Sequence, residues 1–153
     1  MGKKVCFAAS SGGHYEQLLM LKPLMEKYDS FVVTEKTRYN TAVEGQKMYY
    51  LHQVNRKEKL FPLWLLLNSF QALKIVLKEK PDVVVTIGVL AMIPLCLLVK
   101  LRGGKLIFIE SFAKVTSPTE TGKLLYRFAD RFYVQWESMK AVYPDAIYEG
   151  AIY

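Results

Sequence analysis

Six short runs along the chain are nearly continuous in apolar character: KVCFAA (4–9), SFVVT (30–34), MYYL (48–51), DVVVTI (82–87), KLIFIE (105–110) and RFYVQ (131–135). Most are β-branched or aromatic, as strands covered on both faces should be. Between them lie stretches with apolar residues at helical spacing: His14–Tyr28, Leu63–Lys80, Leu90–Leu101, Gly122–Ala129 and a short Glu137–Val142. In the first, Leu18, Leu21, Leu24 and Met25 share one face, and Pro23 strains the helix or shortens it. Strands alternating with helices predict a parallel sheet with right-handed crossovers. The expected fold is α/β, a doubly wound, mostly parallel Rossmann-like sheet. The 153 residues suit one domain over 1–153.

One stretch departs from this regular pattern. NRKEKLFPLWLLLNSFQALKIVLKEK (55–80), as a helix from about Leu63, puts Leu66, Phe70, Leu73 and Leu77 on one face, a core stripe. Trp64, Leu65 and Ile75 then point elsewhere. Basic residues, Arg56, Lys57 and Lys59, stand just before it. A helix apolar nearly all round is buried or meets something greasy, and basic neighbours suit an interfacial membrane contact. Arg56, Lys57, Lys59, Phe61, Trp64 and Leu65 are therefore the candidate membrane or partner contacts, with Trp136 and Tyr153 added as partner contacts. The plainer reading is a helix covered by the next loop or by a partner chain.

Composition narrows the classes. The net charge of +7 favours acidic partners: nucleic acid, anionic headgroups or a diphosphate-bearing substrate. Scattered basic residues without a recognition motif argue against nucleic acid. Cys6 and Cys96 both sit in apolar runs, as reduced core thiols of a cytosolic protein do. The two histidines, His14 and His52, and the absence of metal-ligand spacing leave no metal site to expect. No secretory leader is apparent, and no stretch reaches the roughly 20 apolar residues of a membrane span.

In a doubly wound sheet the ligand sits at the carboxyl ends of the strands. The first such loop is Ser10-Ser11-Gly12-Gly13-His14. Glycines there let backbone N–H groups approach a ligand, although a tight turn with a helix cap would use the same residues. The pattern is neither GxGxxG nor a P-loop. His14 either faces the cleft with a pKa in the useful range or is a surface side chain bonded to nearby backbone. Gly88, after the fourth run, either admits a ligand or starts a helix. Glu110 ends the fifth run, where a carboxylate is costly without partners; it binds a hydroxyl, acts as a base, or caps backbone amides. Ser111, Lys114, Thr121 and Lys123 follow as candidate substrate-binding residues, or as a solvated loop with an N-cap. Trp136 could stack on a sugar or base, pack against a second domain, or belong to the core or its rim.

Taken together, SSGGHYEQL, then TIG, then IFIESFAKVTSPTETGKLLYRFADRFYVQW, resemble the bacterial CpsF/PssD family of polysaccharide biosynthesis proteins. That family is similar to the membrane-anchor subunit of the eukaryotic dolichol-pathway N-acetylglucosaminyltransferase. The resemblance covers nearly the whole chain and implies the N-terminal half of a GT-B glycosyltransferase. It implies that a catalytic partner chain, the C-terminal half, carries most of the UDP-sugar site, with no tightly bound cofactor or metal here. This chain would bind a polyprenyl-diphosphate-linked sugar acceptor and sit peripherally on the inner, cytoplasmic face of the cell membrane. By motif, Gly12, Gly13, His14, Glu110, Ser111 and Lys114 would lie around the acceptor, with His14 and Glu110 as candidate catalytic groups; Ser11, Gly88, Thr121 and Lys123 stand beside them as candidate substrate-binding residues. The eukaryotic anchor's N-terminal span is not expected here. Capsule or exopolysaccharide assembly, including β-1,4-galactosyl transfer, is the implied setting, with UDP-glucose, UDP-galactose and UDP-N-acetylglucosamine all open as donors. Two other readings stand beside it: a non-catalytic membrane scaffold, and a lone nucleotide-binding enzyme, which the missing GxGxxG disfavours.

Overall fold

The computed structural model describes residues 2–38, 41–88 and 90–152. Tyr153, a predicted partner contact, and Val89 of the loop after the fourth run lie outside the described residues. The described strands are β1 (Lys4–Ala9), β2 (Asp29–Glu35), β3 (Lys47–Leu51), β4 (Val83–Ile87), β5 (Lys105–Ile109), β6 (Arg131–Val134) and β7 (Ile147–Tyr148). They pair in the order β3-β2-β1-β4-β5-β6-β7, every neighbouring pair parallel. The two-residue β7 was not expected; it is too short to carry an apolar pattern.

The strands alternate their side chains between two apolar layers. Cys6, Ala8, Phe31, Val84 and Phe108 pack beneath helices α3 (Phe61–Glu79) and α4 (Ile93–Leu101). Val5, Phe7, Val32 and Val85 pack on the opposite face with Tyr15, Leu18 and Met25 from α1 (Gly13–Leu19) and α2 (Lys22–Lys27). Both cysteines are buried and free, and burial pushes both thiols up.

Several helices differ from their sequence patterns for local reasons. The predicted helix over 14–28 is two helices, because Pro23 cannot donate to a continuing ladder and instead takes the first turn of α2. The 90–101 stretch opens with a 3-10 turn at Leu90–Met92 before α4, whose first turn holds Pro94. Helix α5 (Glu120–Leu125) starts before the predicted Gly122, since Thr119 accepts a hydrogen bond from Gly122 N and sets the start. The stretch after Trp136 is a 3-10 helix at Glu137–Ala141.

The core stripe expected on α3 is corrected. Leu66, Phe70, Leu73 and Leu77 face outward, while Asn68, Ala72, Ile75, Val76 and Glu79 face the sheet. Two polar anchors set this rotation. Asn68 accepts from His52 N at 2.9 Å and donates to His52 O at 2.8 Å. Glu79 pairs with Lys4 and Lys47, both at 2.6 Å, and also accepts from Tyr49.

Candidate functional site

The strand order reverses between β1 and β4, which separates their following loops and opens a crevice at the carboxyl edge of the sheet. A cavity of about 440 Å³ lies there. Of the candidate site residues, His14, Gly88, Lys114 and Thr121 line it while Gly12 and Gly13 do not, and Val54 and Arg56 supply another part of the wall.

The glycine loop leads straight into α1. Gly12 precedes the helix with φ at 79°, a conformation that favours glycine, and its carbonyl accepts from Glu16 N at 3.1 Å. A Cβ at Gly12 or Gly13 would meet nothing within 4 Å, so the loop backbone is open to an approaching group. Ser11 sits beside these glycines and donates through Oγ to Glu35 at 3.3 Å. His14, on the first turn of α1, is half-buried, and its Nδ1 is buried with no hydrogen-bond partner among the described residues. Burial lowers the imidazole below the ordinary histidine range, against the opposing pull of Glu110. The ring is thereby held neutral near pH 7, the form that accepts a proton.

Glu110 is fully buried. Its Oε1 accepts from Ser111 N at 3.0 Å and Thr119 Oγ1 at 2.9 Å. Its Oε2 accepts from Thr119 N at 3.2 Å and Tyr143 Oη at 2.8 Å. With both oxygens held by the chain's own donors and no exposed surface, the base expected at 110 gives way to a positioning group. It fixes the loop that carries Lys114 and the start of α5. Ser111 is likewise buried, and its Oγ accepts from Ala113 N at 3.3 Å. Lys123 pairs with Glu120 at 3.2 Å on an exposed surface and does not line the cavity.

The contact candidates divide as well. Arg56 joins the cavity, and Lys57 and Lys59 are exposed beside it in sequence. Phe61, Trp64 and Leu65 are half-buried, Trp64 lying against His52 with ring centroids 5.2 Å apart. The exposed apolar surface is instead Leu63, Leu66, Leu67, Phe70, Leu73 and Leu77 on α3. Trp136 is half-buried on the chain itself, donating to Phe112 O at 2.6 Å.

Sequence reasoning passed over a buried amide network beneath the site. Gln17 Oε1 accepts from Phe112 N at 3.0 Å and Gln135 Nε2 at 2.9 Å. Gln135 Nε2 also donates to Glu110 O at 3.0 Å, and its Oε1 accepts from Ile152 N at 3.1 Å. The one available signal was Gln17 among the apolar residues of α1. Glu35, too, ends a strand as Glu110 does and was open to the same argument. Among the described residues, no group of three or more His, Cys, Asp or Glu side chains is placed to hold a metal ion.

This fold recurs in solved structures. MurG of Acinetobacter baumannii superposes with a TM-score of 0.72 at 20% identity, covering 89% of this chain and 42% of that one. A UDP-N-acetylglucosamine 2-epimerase from Rickettsia bellii gives 0.75 at 13% identity, covering 99% and 46%. The chain spans under half the length of either structure, and the likeness establishes its Rossmann-like α/β fold. By sequence, the chain is similar to the UDP-N-acetylglucosamine transferase subunit ALG14 of Rattus norvegicus, 28% identical over 94% of this chain and 80% of that protein. The subunit of the same name from Yarrowia lipolytica is 29% identical over 97% and 81%. The profile of the family described as "Oligosaccharide biosynthesis protein Alg14 like" matches residues 5–152, and the chain belongs to that family.

Proposed function

We propose that this chain is the acceptor-binding, activating and membrane-associating subunit of a two-chain UDP-sugar glycosyltransferase that extends a lipid-diphosphate-linked sugar. The observation that carries the reading is the cavity at the strand-order reversal, where His14, which follows the open glycine loop, meets the cations Arg56 and Lys114. Relatives named as subunits of a UDP-N-acetylglucosamine transferase support it. The catalytic partner, the C-terminal half of the GT-B pair, would carry most of the UDP-sugar donor site. Arg56 and Lys114 would hold the acceptor's diphosphate, and the backbone of Gly12 and Gly13 would approach the same group. His14 would take the proton of the acceptor hydroxyl as that oxygen attacks the donor's anomeric carbon and UDP departs.

The exposed face of α3 supports attachment at the inner, cytoplasmic surface of the cell membrane. Leu66 and Phe70 are 54% and 58% exposed, and Leu97 and Leu98 of α4 complete an apolar groove beside them. Lys57 and Lys59 precede this face, as an anionic surface would require. Among the described residues no helix is long and apolar enough to cross a membrane. The finer setting we propose is that of the CpsF/PssD polysaccharide proteins: capsule or exopolysaccharide assembly, with β-1,4-galactosyl transfer as one product.

A second reading, a scaffold that only recruits the catalytic chain, draws on the same apolar face. One assay separates the two. Membranes bearing lipid-diphosphate-linked sugar are supplied with radiolabelled UDP-sugars and the partner chain, alone, with this protein, or with His14→Ala. Activity that needs this chain and collapses in the variant supports the shared site. Activity that tolerates His14→Ala supports the scaffold, and activity independent of this chain overturns both. The donor panel distinguishes galactosyl from N-acetylglucosaminyl transfer.

A further inference from the structure

We infer that Glu35 is a positioning residue: its buried carboxylate ties the glycine turn that leads into His14 to the connection that carries Val54 and Arg56, and so holds two parts of the cavity wall together. The inference rests on the reading of that cavity as the acceptor site. Glu35 is the last residue of β2 and only 3% exposed. Its carboxylate accepts from the Ser11 hydroxyl at 3.3 Å, and from backbone N–H groups of Ser11 and Val54. Ser11 immediately precedes Gly12. Val54 lines the cavity itself and stands two residues before Arg56.

A carboxylate is costly to bury unless several donors meet it. The donors named come from two separate chain segments, the turn after β1 and the connection from β3 to α3. That connection is held at His52 by Asn68, and Glu35 holds it again at Val54. Residues 55–60, Arg56 among them, are exposed beyond this second tether. Glu110 does the same work at the end of β5, where it gathers Ser111, Thr119 and Tyr143. Two strand-end carboxylates thus hold the two sides of one crevice. Glu35 touches no substrate in this arrangement; it acts through Ser11 and Val54.

The test uses the full chain carrying Glu35→Gln, which keeps the shape and one acceptor oxygen. Hydrogen exchange is followed at the amides of 11–13 and 54–56. Exchange about tenfold faster in both segments, with the strands of the sheet unchanged, is the expected result. Ser11→Ala, which leaves Glu35 in place, should loosen 11–13 and spare 54–56. Unchanged exchange in both segments overturns the inference, and so does an even rise across the whole sheet with a fall in Tm. In the assembled two-chain enzyme, Glu35→Gln should raise the KM for the lipid acceptor about tenfold and leave the KM for the UDP-sugar and kcat unchanged. Faster exchange without that acceptor effect supports the tether and counts against the cavity as the acceptor site, so the two failures are distinguishable.

Discussion

Gly122 lies so close to Glu110 that a methyl group at 122 would collide with the carboxylate oxygen Oε2. The same methyl would stand 2.6 Å from the Tyr143 hydroxyl and 2.8 Å from Thr119 Oγ1. These are the groups that satisfy the buried charge. Gly122→Ala should therefore force them apart and cost roughly 2–3 kcal/mol in urea unfolding. Gly13→Ala is the contrasting case. Its Cβ meets nothing within 4 Å, so stability should hold, while acceptor binding should weaken on the proposed reading, in which the acceptor's diphosphate approaches this backbone. Equal stability of the two variants would remove the packing argument at 122.

The strands were legible because burial on both faces leaves nearly unbroken apolar runs, and six of the described strands fall within a residue of those runs. The loops of the site were legible by the same route, since strand ends point to them. The rotation of α3 was not. An apolar residue on a helix does not say whether it faces the sheet or another surface, and Leu66 and Phe70 read as core on periodicity alone. The deciding residues were Asn68 and Glu79, polar groups whose partners lie far away in sequence. Glu110 and Glu35 show the same gap. Sequence places a carboxylate at a strand end, and only the donors around it tell a base from a tether.

His14 gives the site its pH dependence. Its folded pKa is lowered, first by burial, so the fold disfavours its protonated form. Its effect on stability is therefore an acid-side loss: full stability above about pH 6.5, falling as pH drops through and below that value. With the neutral ring as the proposed base, transfer by the assembled enzyme should keep its acidic limb below the ordinary histidine value. In His14→Asn that limb should disappear along with most of the activity. A variant that keeps both the rate and the limb would remove His14 from the chemistry.

Glu79 governs acid stability at the opposite edge of the sheet. Burial alone would raise its carboxyl, but Lys4, Lys47 and Tyr49 outweigh that and bring it down to about 2. A depressed carboxylate stabilises the fold above its unfolded pKa, and the gain is lost as pH falls from about 4.5 toward 2. Allowing for solvent screening of the lysines, the loss should be roughly 2 kcal/mol. Glu79→Gln should lower stability at pH 7 and flatten this acid dependence. Urea midpoints between pH 2 and 7 check it; parallel curves for variant and parent would show that the ion pairs contribute nothing.

The outward face of α3 makes a membrane prediction that the half-buried Trp64 does not. Leu66 and Phe70 have no core to leave, so Leu66→Ser with Phe70→Ser should leave Tm nearly unchanged. Each side chain withdrawn from a bilayer surface should weaken attachment by about tenfold or more. Co-sedimentation with vesicles containing anionic lipid reads this directly. Neutral vesicles should bind the parent protein less, and added salt should weaken the anionic case, because Lys57 and Lys59 contribute by charge. Trp64→Ala should behave in the opposite way, lowering Tm through lost packing on His52 with little direct effect on vesicles at temperatures where the variant is folded. If the double serine variant sediments with anionic vesicles as well as the parent does, the face is covered by protein rather than lipid. Transfer by the two-chain enzyme would then depend on Leu66 and Phe70 even with a water-soluble acceptor, where a bilayer contact would not matter.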